Sequence, residues 1–476
     1  MLYWTVLNKL NFDFLIIGSG PGGTTAAHTL SNELNSSICI IEEGNDESSD
    51  IKMGSFEDLT KRYRNGGAEI IFGKPNISVA EGKTLGGGSE VNSGIYHPLS
   101  EEQAKNWKKI FKIRNFQYGE IFESISFVEN WLNLTRQNNN GNLSRKIING
   151  AKYINKESEN TQQWIKRDGD YPVKQGMKQI FYDKNQNVTT LKNTRVKKIF
   201  FNGSTAVSVK CKREKENFQI NFKYLIISCG TFQTPLLLNN SGYKFSHKMT
   251  YNIHPHLKVA GQFVDYIEDH EKISNYQIKI PEHNSSFGAS INTNQWKALM
   301  LLENWKAYRD EKFDQQLKKL GVFYTMIKPS GFGKMFFSKS LGNYFLTYKL
   351  TNDDKLNLYN STKLLVKMLL DLNSEKVLIA SSAFLPISNH DILNETRFFQ
   401  NLKKLSLHSV HTFSSMRMGE KNSETDSFGK LRNTKNVYIA DSSIIPSPPG
   451  VNPQGILMTL VNRNFRLLME KNEFRI

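Results

Sequence analysis

The apolar positions of this chain change period several times, and each change marks an element. Six residues, Phe12 to Ile17 (FDFLII), read as a buried strand. After Gly18, Gly20 and Gly23 the run from Thr24 to Leu34 takes helical spacing. A second apolar strand, SICIIEEG, carries Glu42, which lies 19 residues past Gly23. Strand, tight turn, helix and acid at this spacing predict a dinucleotide-binding unit. The glycines let backbone N–H groups approach a pyrophosphate, whose charge the helix N-terminus favours. A glutamate on the ribose disfavours a 2′-phosphate, so FAD or NAD is expected over NADP.

From about Glu101 to Gly169 the chain is polar, asparagine-rich and helical in patches, and is read as an insertion. From Asn187 the apolar and polar positions alternate around a turn at Asn202–Gly203, the signature of a β-meander that ends in the buried strand YLIISCG. After Gly230, TFQTPLLLNNSG predicts a short helix opened by Thr234 and Pro235 and closed by Gly242. Tyr243 to Leu407 mixes strands such as NYFLTYKLTN with amphipathic helices such as STKLLVKMLLDL, as a second domain would. The strand NVYIADSS and a helix from about Pro453 to Glu470 close the pattern, with Asn452 expected at the N-cap and Pro453 at the first helical position. The fold class is therefore α/β, α+β overall: a Rossmann-type unit with a meander, plus a domain of antiparallel sheet and helices. With no repeat or linker between them, the domains are expected to share an extensive interface.

Composition narrows this only a little. The net charge of +17 (62 Lys and Arg, 45 Asp and Glu) invites a nucleic-acid or anionic-membrane reading. The lysines are spread among asparagines and isoleucines, however, and no nucleic-acid-binding motif accompanies them, so a solvated surface accounts for them and no nucleic-acid partner is expected. Cys39, Cys211 and Cys229 lack paired metal spacing and cannot all pair, which fits a reducing compartment. The start MLYWTVLNKLNFDF has no basic stretch followed by an apolar one, and no apolar run approaches the ~20 residues of a membrane span. A soluble, cytoplasmic protein is expected.

Five blocks in order resemble the glucose-methanol-choline (GMC) family of flavin oxidoreductases: the glycine motif with Glu42, GKTLGGGSEVNSG, CGTFQTPLLLNNSG, HTFSSMRMG, and NVYIADSSIIPSPPGVNPQGI. The motifs are nearest to the cholesterol oxidase and long-chain-alcohol oxidase branch. The resemblance implies an FAD domain made of residues 1–100, 186–245 and 408–476, and a substrate domain of 101–185 and 246–407. It implies that Gly86, Gly87, Gly88 and Ser89 lie against the flavin, the glycines leaving room that a β-carbon would crowd, with Asn92 facing it. It implies further that Val196 contacts adenine through its backbone, that Gly230, Asp441 and Ser442 belong to the cofactor site, with Asp441 holding the ribityl chain, and that the helix after Pro453 stabilises negative charge on the reduced ring. His411, followed by Arg417, Met418 and Gly419, matches the catalytic histidine, and Asn452 its partner. His411 would accept the hydroxyl proton of an alcohol while Asn452 orients the oxygen and hydride leaves for flavin N5.

The chain also departs from the family pattern. Val91 stands where some members carry a histidine bonded to flavin, so non-covalent FAD is expected, and TFSS replaces the usual Gly-Thr after the histidine. His408 competes with His411 for the catalytic role. His254 and His256, in NIHPHLKV, are read as structural strand residues rather than metal ligands, and no metal is expected. The expected activity is oxidation of an alcohol to an aldehyde or ketone, with O2, a quinone or a redox protein taking the electrons. A flavin-dependent lyase or decarboxylase on the same fold, or a non-catalytic flavoprotein, remain as alternatives. The stretch MIKPSGFGKMFFSKSLGNYF suits an apolar lid, a peripheral membrane contact or core strands equally.

Overall fold

The computed structural model describes residues 10–47, 51, 54–136, 141–168, 171–185, 187–267, 274–290, 293–304, 313–338, 340–389 and 393–475. Along the chain, β1 (Leu10–Ile17), α1 (Pro21–Glu33) and β2 (Ile38–Ile41) form the first unit, and β3 (Glu69–Ile71) and β4 (Ile77–Val79) precede the one-turn helix α2 (Gly88–Val91). Helices α3 (Glu101–Phe111) and α4 (Tyr118–Leu132) and strand β5 (Ser158–Asn160) lead to β6 (Thr189–Leu191) and the meander β7 (Arg195–Asn202), β8 (Thr205–Arg213) and β9 (Glu216–Ile227). After α5 (Gln233–Asn240) come β10 (Thr250–Ile253), β11 (His256–Gln262), β12 (Tyr276–Ile280), β13 (Ser285–Ala289), β14 (Leu320–Ile327) and the hairpin β15 (Phe332–Ser338) with β16 (Asn343–Lys349). Then follow α6 (Asn352–Asp371), β17 (Lys376–Ile379), β18 (Leu407–Ser409), β19 (Thr412–Phe413), β20 (Val437–Ile439) and α7 (Gln454–Glu470).

The first sheet has the order β6-β2-β1-β9-β8-β7, with β20 on the far side of β9. β1 is buried over its last four residues because parallel neighbours, β2 and β9, flank it on both edges. The 12-residue β9 pairs antiparallel with β8 over its first half and parallel with β20 over Leu225–Ile227, so the meander continues directly into the nucleotide-type sheet. The polar stretch read as an insertion forms helices, and α4 packs against α7. The fully buried Arg463 of α7 explains this docking: its guanidinium donates to the carbonyls of Arg114, Asn115 and Ser427. Burial lowers its pKa to about 9.

The other two sheets place the chemistry. The nine-stranded sheet runs β3-β4-β18-β11-β14-β13-β12-β5, with β17 also on β11, and a four-stranded sheet runs β16-β15-β10-β19. Two chain segments cross from one to the other. β10 pairs with β19 in the small sheet (Asn252 opposite Phe413), and two residues later β11 pairs with β18 in the large one (His256 opposite His408). His254 and His411 sit at the two corners between these pairings, and the His254 N–H donates to the His411 carbonyl at 3.1 Å.

One expected detail is corrected. Asn452 does not cap α7: Pro453 itself occupies the N-cap with helical angles (φ −88°, ψ −7°), and no side chain caps the helix. Its amide is left for other partners.

Candidate active site

A cavity of about 630 Å3 runs along the seam between the first sheet and the other two. At one end it is lined by the turn after β1 (Gly18, Gly20) with Glu42, and by Val196 of β7. Gly87, Gly88 and Asn92 of the glycine-rich loop follow, then Gly230, Asp441 and Ser442, and at the other end His411, Asn452 and Pro453. All of these were singled out by sequence.

The remaining three are not on the wall. A β-carbon on Gly23 would lie 2.2 Å from the Gly18 carbonyl oxygen, so that glycine serves the approach of α1 to its own turn. A β-carbon on Gly86 would meet the Glu90 carboxylate, and Ser89 is buried, bonded to the Gly86 carbonyl and the Met177 N–H. The expectation that all three consecutive glycines clear space for a planar ligand is thus corrected. Gly87 lets the loop pack on Gly20, whose Cα would be 2.8 Å from a new β-carbon, and Gly88 alone of the three faces open space, with nothing within 4 Å.

That open space is the test for a flavin nucleotide, and the residues fit it. Gly20 and Gly88 both line the cavity, and a β-carbon on either would project into it without touching protein. The carboxylates are held rather than loose. Glu42 accepts from the Ser19 N–H and hydroxyl (3.0 and 2.6 Å) and from the Gly44 N–H (2.7 Å). Asp441 accepts from Thr234, from the Gly230 N–H and from the Ser443 N–H. Burial raises the pKa of both, and these hydrogen bonds oppose the rise. Asn92 donates to Gln454, tying the loop to the start of α7.

The other end is built on imidazoles. His411 Nε2 lies 3.5 Å from Asn452 Nδ2, and His411 Nδ1 lies 3.2 Å from His254 Nδ1. The His256 ring is 5.3 Å from both His408 and His411. Sequence read His254 and His256 as strand structure; the two corners draw them into the site. Burial, foremost, holds His254, His408 and His411 well below the usual histidine range, the neighbouring imidazoles adding to it and, for His408, Lys258 ahead of them, and burial takes His256 to about 4. All four are neutral at pH 7.

Hydrogen-bond direction fixes the protons. The Gly450 N–H donates to His254 Nε2 at 3.1 Å. A backbone donor cannot turn, so neutral His254 carries its proton on Nδ1 and gives it to His411 Nδ1. His411 then holds its own proton on Nε2 at rest, and because Asn452 Oδ1 is held by Gln277 Nε2, that proton faces the Asn452 amide nitrogen across 3.5 Å. Asn452 is fixed in turn by Gln277, whose Nε2 is 3.1 Å from Asn452 Oδ1 and 2.8 Å from Tyr324 Oη, while its Oε1 meets His97 at 2.8 Å.

Sequence reading missed Gln277 and Tyr324, which sit on strands without a motif, and gave Lys258 of NIHPHLKV no role. Lys258 follows His256 by two residues and so shares its face of β11, next to Tyr324 on β14, and it lines the cavity. Burial holds its ammonium well below the usual lysine range, against the pull of Glu303. Also missed was Arg64, which pairs with Glu43 and, at 3.2 Å, with Glu81 at the Glu42 end of the cavity.

The comparisons agree along most of the chain. A family model described as GMC oxidoreductase, N-terminal part, matches residues 12–258, and its C-terminal counterpart matches 347–460. An uncharacterized GMC-type oxidoreductase of Sinorhizobium fredii is 28% identical over 486 residues, covering 96% of this chain and 94% of that protein. A long-chain-alcohol oxidase of Arabidopsis thaliana is 22% identical over 498 residues, covering 94% of this chain and 66% of that protein. A formate oxidase structure superposes with a TM-score of 0.78 at 13% identity, covering 98% of this chain and 100% of that one. Pyridoxine 4-oxidase from Mesorbium loti gives 0.73 at 13%, covering 96% and 99%. These two likenesses establish a shared fold.

Proposed function

The chain belongs to the GMC oxidoreductase family, and from that premise we propose that it oxidises the CH–OH group of a small polar alcohol to a carbonyl, with FAD held non-covalently in the seam cavity. The observation that carries this reading is the meeting of His411 and Asn452 at one end of a cavity whose glycine-lined remainder has room for a flavin nucleotide. Bound there, FAD supplies the hydride acceptor. Val91 offers no atom for a covalent bond to it, which supports dissociable cofactor.

Asn452 orients the substrate oxygen through an amide clamped by Gln277. His411 handles the hydroxyl proton at Nε2. To take that proton it must shift its own to Nδ1, which turns His254 to the opposite tautomer and leaves the Gly450 N–H without an acceptor, at about 1–3 kcal/mol. The start of α7 reaches the cavity wall at Pro453 and Gln454, and its first-turn N–H groups, which begin at Gln454, favour negative charge at that end.

Beside His411 the cavity wall carries His256, His408, Lys258 and Tyr324, which supports an alcohol with a polar or anionic substituent. The test is anaerobic bleaching of the flavin by candidate alcohols. Wild type should bleach, and His411→Ala should bind FAD and slow bleaching by 100-fold or more, the scale of general base catalysis. Undiminished bleaching in His411→Ala would remove the mechanism, and substrate turnover with no electron acceptor would favour the lyase reading.

A further inference from the structure

The hairpin of β15 and β16 resolves the three readings left open for MIKPSGFGKMFFSKSLGNYF. Its side chains alternate. Met335, Tyr344, Leu346 and Tyr348 point inward and are buried, while Phe332, Phe336 and Phe345 point outward. The inward row is core, and Gly342 at the turn lines the cavity next to Asn240 of α5. The outward row faces solvent.

That row is not isolated. Phe336 and Phe345 are opposite one another and 52% and 49% exposed. Phe72, just past β3, bridges to Thr347 of β16 and is 52% exposed, and Leu341 at the tip is 68% exposed. With Ile70 and Phe332, these are six of the 18 large apolar side chains exposed among the described residues, gathered on one sheet face. At half of a ~200 Å2 aromatic side chain each, they present roughly 500–600 Å2, the upper end of what a lone soluble protein shows.

The charge on this face is as one-sided as its apolarity. Between Asp314 and Asp353 the chain has no Asp or Glu, and of its six lysines Lys334 and Lys349 are exposed on the hairpin, while Lys318 lies over Tyr266 and Lys328 reaches Gln103. Segments 241–264 and 70–80, which supply β10 and the edge by β3, also lack acids and carry the exposed Lys244, Lys248 and Lys74. Lys334 and Lys349 stand in the same rows as the outward phenylalanines, opposite Thr347 and Phe332. A symmetric pairing of two copies through this face would set lysine against lysine with no acid to answer. A surface that is apolar within and negative at its rim satisfies both features at once.

We propose that this face docks the protein on an anionic lipid bilayer, with Phe72, Phe336, Phe345 and Leu341 entering the interfacial layer and Lys334 and Lys349 meeting the headgroups. Aromatic and leucine side chains suit that layer, and each lysine near a negative membrane surface strengthens binding about fivefold. Among the described residues no helix is long and apolar enough to cross a membrane, so the attachment is to one leaflet.

The experiment is sedimentation of the purified full chain, loaded with FAD, with vesicles of phosphatidylcholine alone or with 30% phosphatidylserine, at low and high salt. Binding is expected to the serine-containing vesicles, to weaken with salt, and to fall at least tenfold in Phe336→Asp/Phe345→Asp. Lys334→Glu/Lys349→Glu should lose more than 25-fold on the anionic vesicles only. All four side chains are exposed or at the hairpin rim, and retained flavin absorbance confirms each variant's fold. The proposal is overturned if wild type stays in the supernatant with anionic vesicles, or if the aspartate variant binds as wild type does. It is equally overturned if the patch instead drives a concentration-dependent dimer, abolished by the aspartates, with no vesicle binding.

Discussion

Replacing Gly88 by leucine separates the space in the cavity from the packing that surrounds it. Gly88 opens α2 without a positive φ, and a β-carbon there meets no protein atom within 4 Å. The free protein should therefore tolerate the change, with a melting temperature equal to or slightly above wild type, because leaving glycine in an ordinary backbone conformation gains about 0.4–1 kcal/mol through the unfolded chain. Any flavin nucleotide would meet the new side chain. Overfilling a packed site costs about 1–3 kcal/mol, which weakens FAD binding by about 5- to 150-fold. Gly22→Ala supplies the contrast, since its β-carbon would lie 1.7 Å from the Ala440 carbonyl oxygen of the strand beside it. That variant should lose stability before affinity can be measured. The assay is thermal unfolding of the apo chain beside an FAD titration followed by flavin fluorescence. Wild-type affinity in Gly88→Leu would refute the placement of the cofactor. A large drop in its apo melting temperature would refute the open geometry itself.

Further outcomes follow from the same geometry. Asn452→Ala removes the group that orients the substrate oxygen and one of three partners of the Gln277 amide, which keeps Tyr324 and His97, and should lower the bleaching rate by about 10- to 100-fold with FAD affinity unchanged. Burial lowers the pKa of His254, His256, His408 and His411 in the fold from 6.5, so below that pH the unfolded chain binds more protons and stability falls. The loss should approach about 1.4 kcal/mol per histidine for each pH unit, and the His256 share should saturate near pH 4, as read by urea unfolding from about pH 7.5 to below pH 4. Arg64→Met leaves the largely buried Glu81 without its cation, while Glu43 keeps Arg195 at 3.6 Å, and should cost about 3 kcal/mol of stability, with partial recovery on adding Glu81→Gln. Lys258→Met should raise KM for alcohols bearing a carboxylate and leave neutral alcohols unaffected; equal effects on both would remove its proposed contact with substrate.

What could be read from the sequence is what local pattern encodes. The first strand, turn and helix, the meander around Gly203, the strand ending in Asp441 and the helix after Pro453 all announce themselves through period and punctuation, and the structure contains each. His411 and Asn452 were legible only because their flanking motifs resemble a family. Gln277, Tyr324 and Lys258 were not, since each is a polar residue in a strand buried along most of its length, where its text reads as sheet and no more. Their importance arises from which strands become neighbours, and that is a property of topology. Asn452 shows the limit from the other side: its text, Asn before Pro before a helix, predicts a cap, yet the proline takes the cap and the amide is spent on His411 and Gln277. Gly86 fails likewise, because glycine marks a close approach without saying to what, and there the neighbour is Glu90.

The paired corners at His254 and His411 carry a consequence for how this enzyme can be altered. Each imidazole is anchored by one sheet on its upstream side and by another downstream, so neither rides on a single rigid platform. Slippage of one sheet past the other by a fraction of an ångström would be felt first as a misaligned proton. Substitutions that loosen the contact between the two sheets, however remote, should therefore surface as slow chemistry long before they surface as a lower melting point.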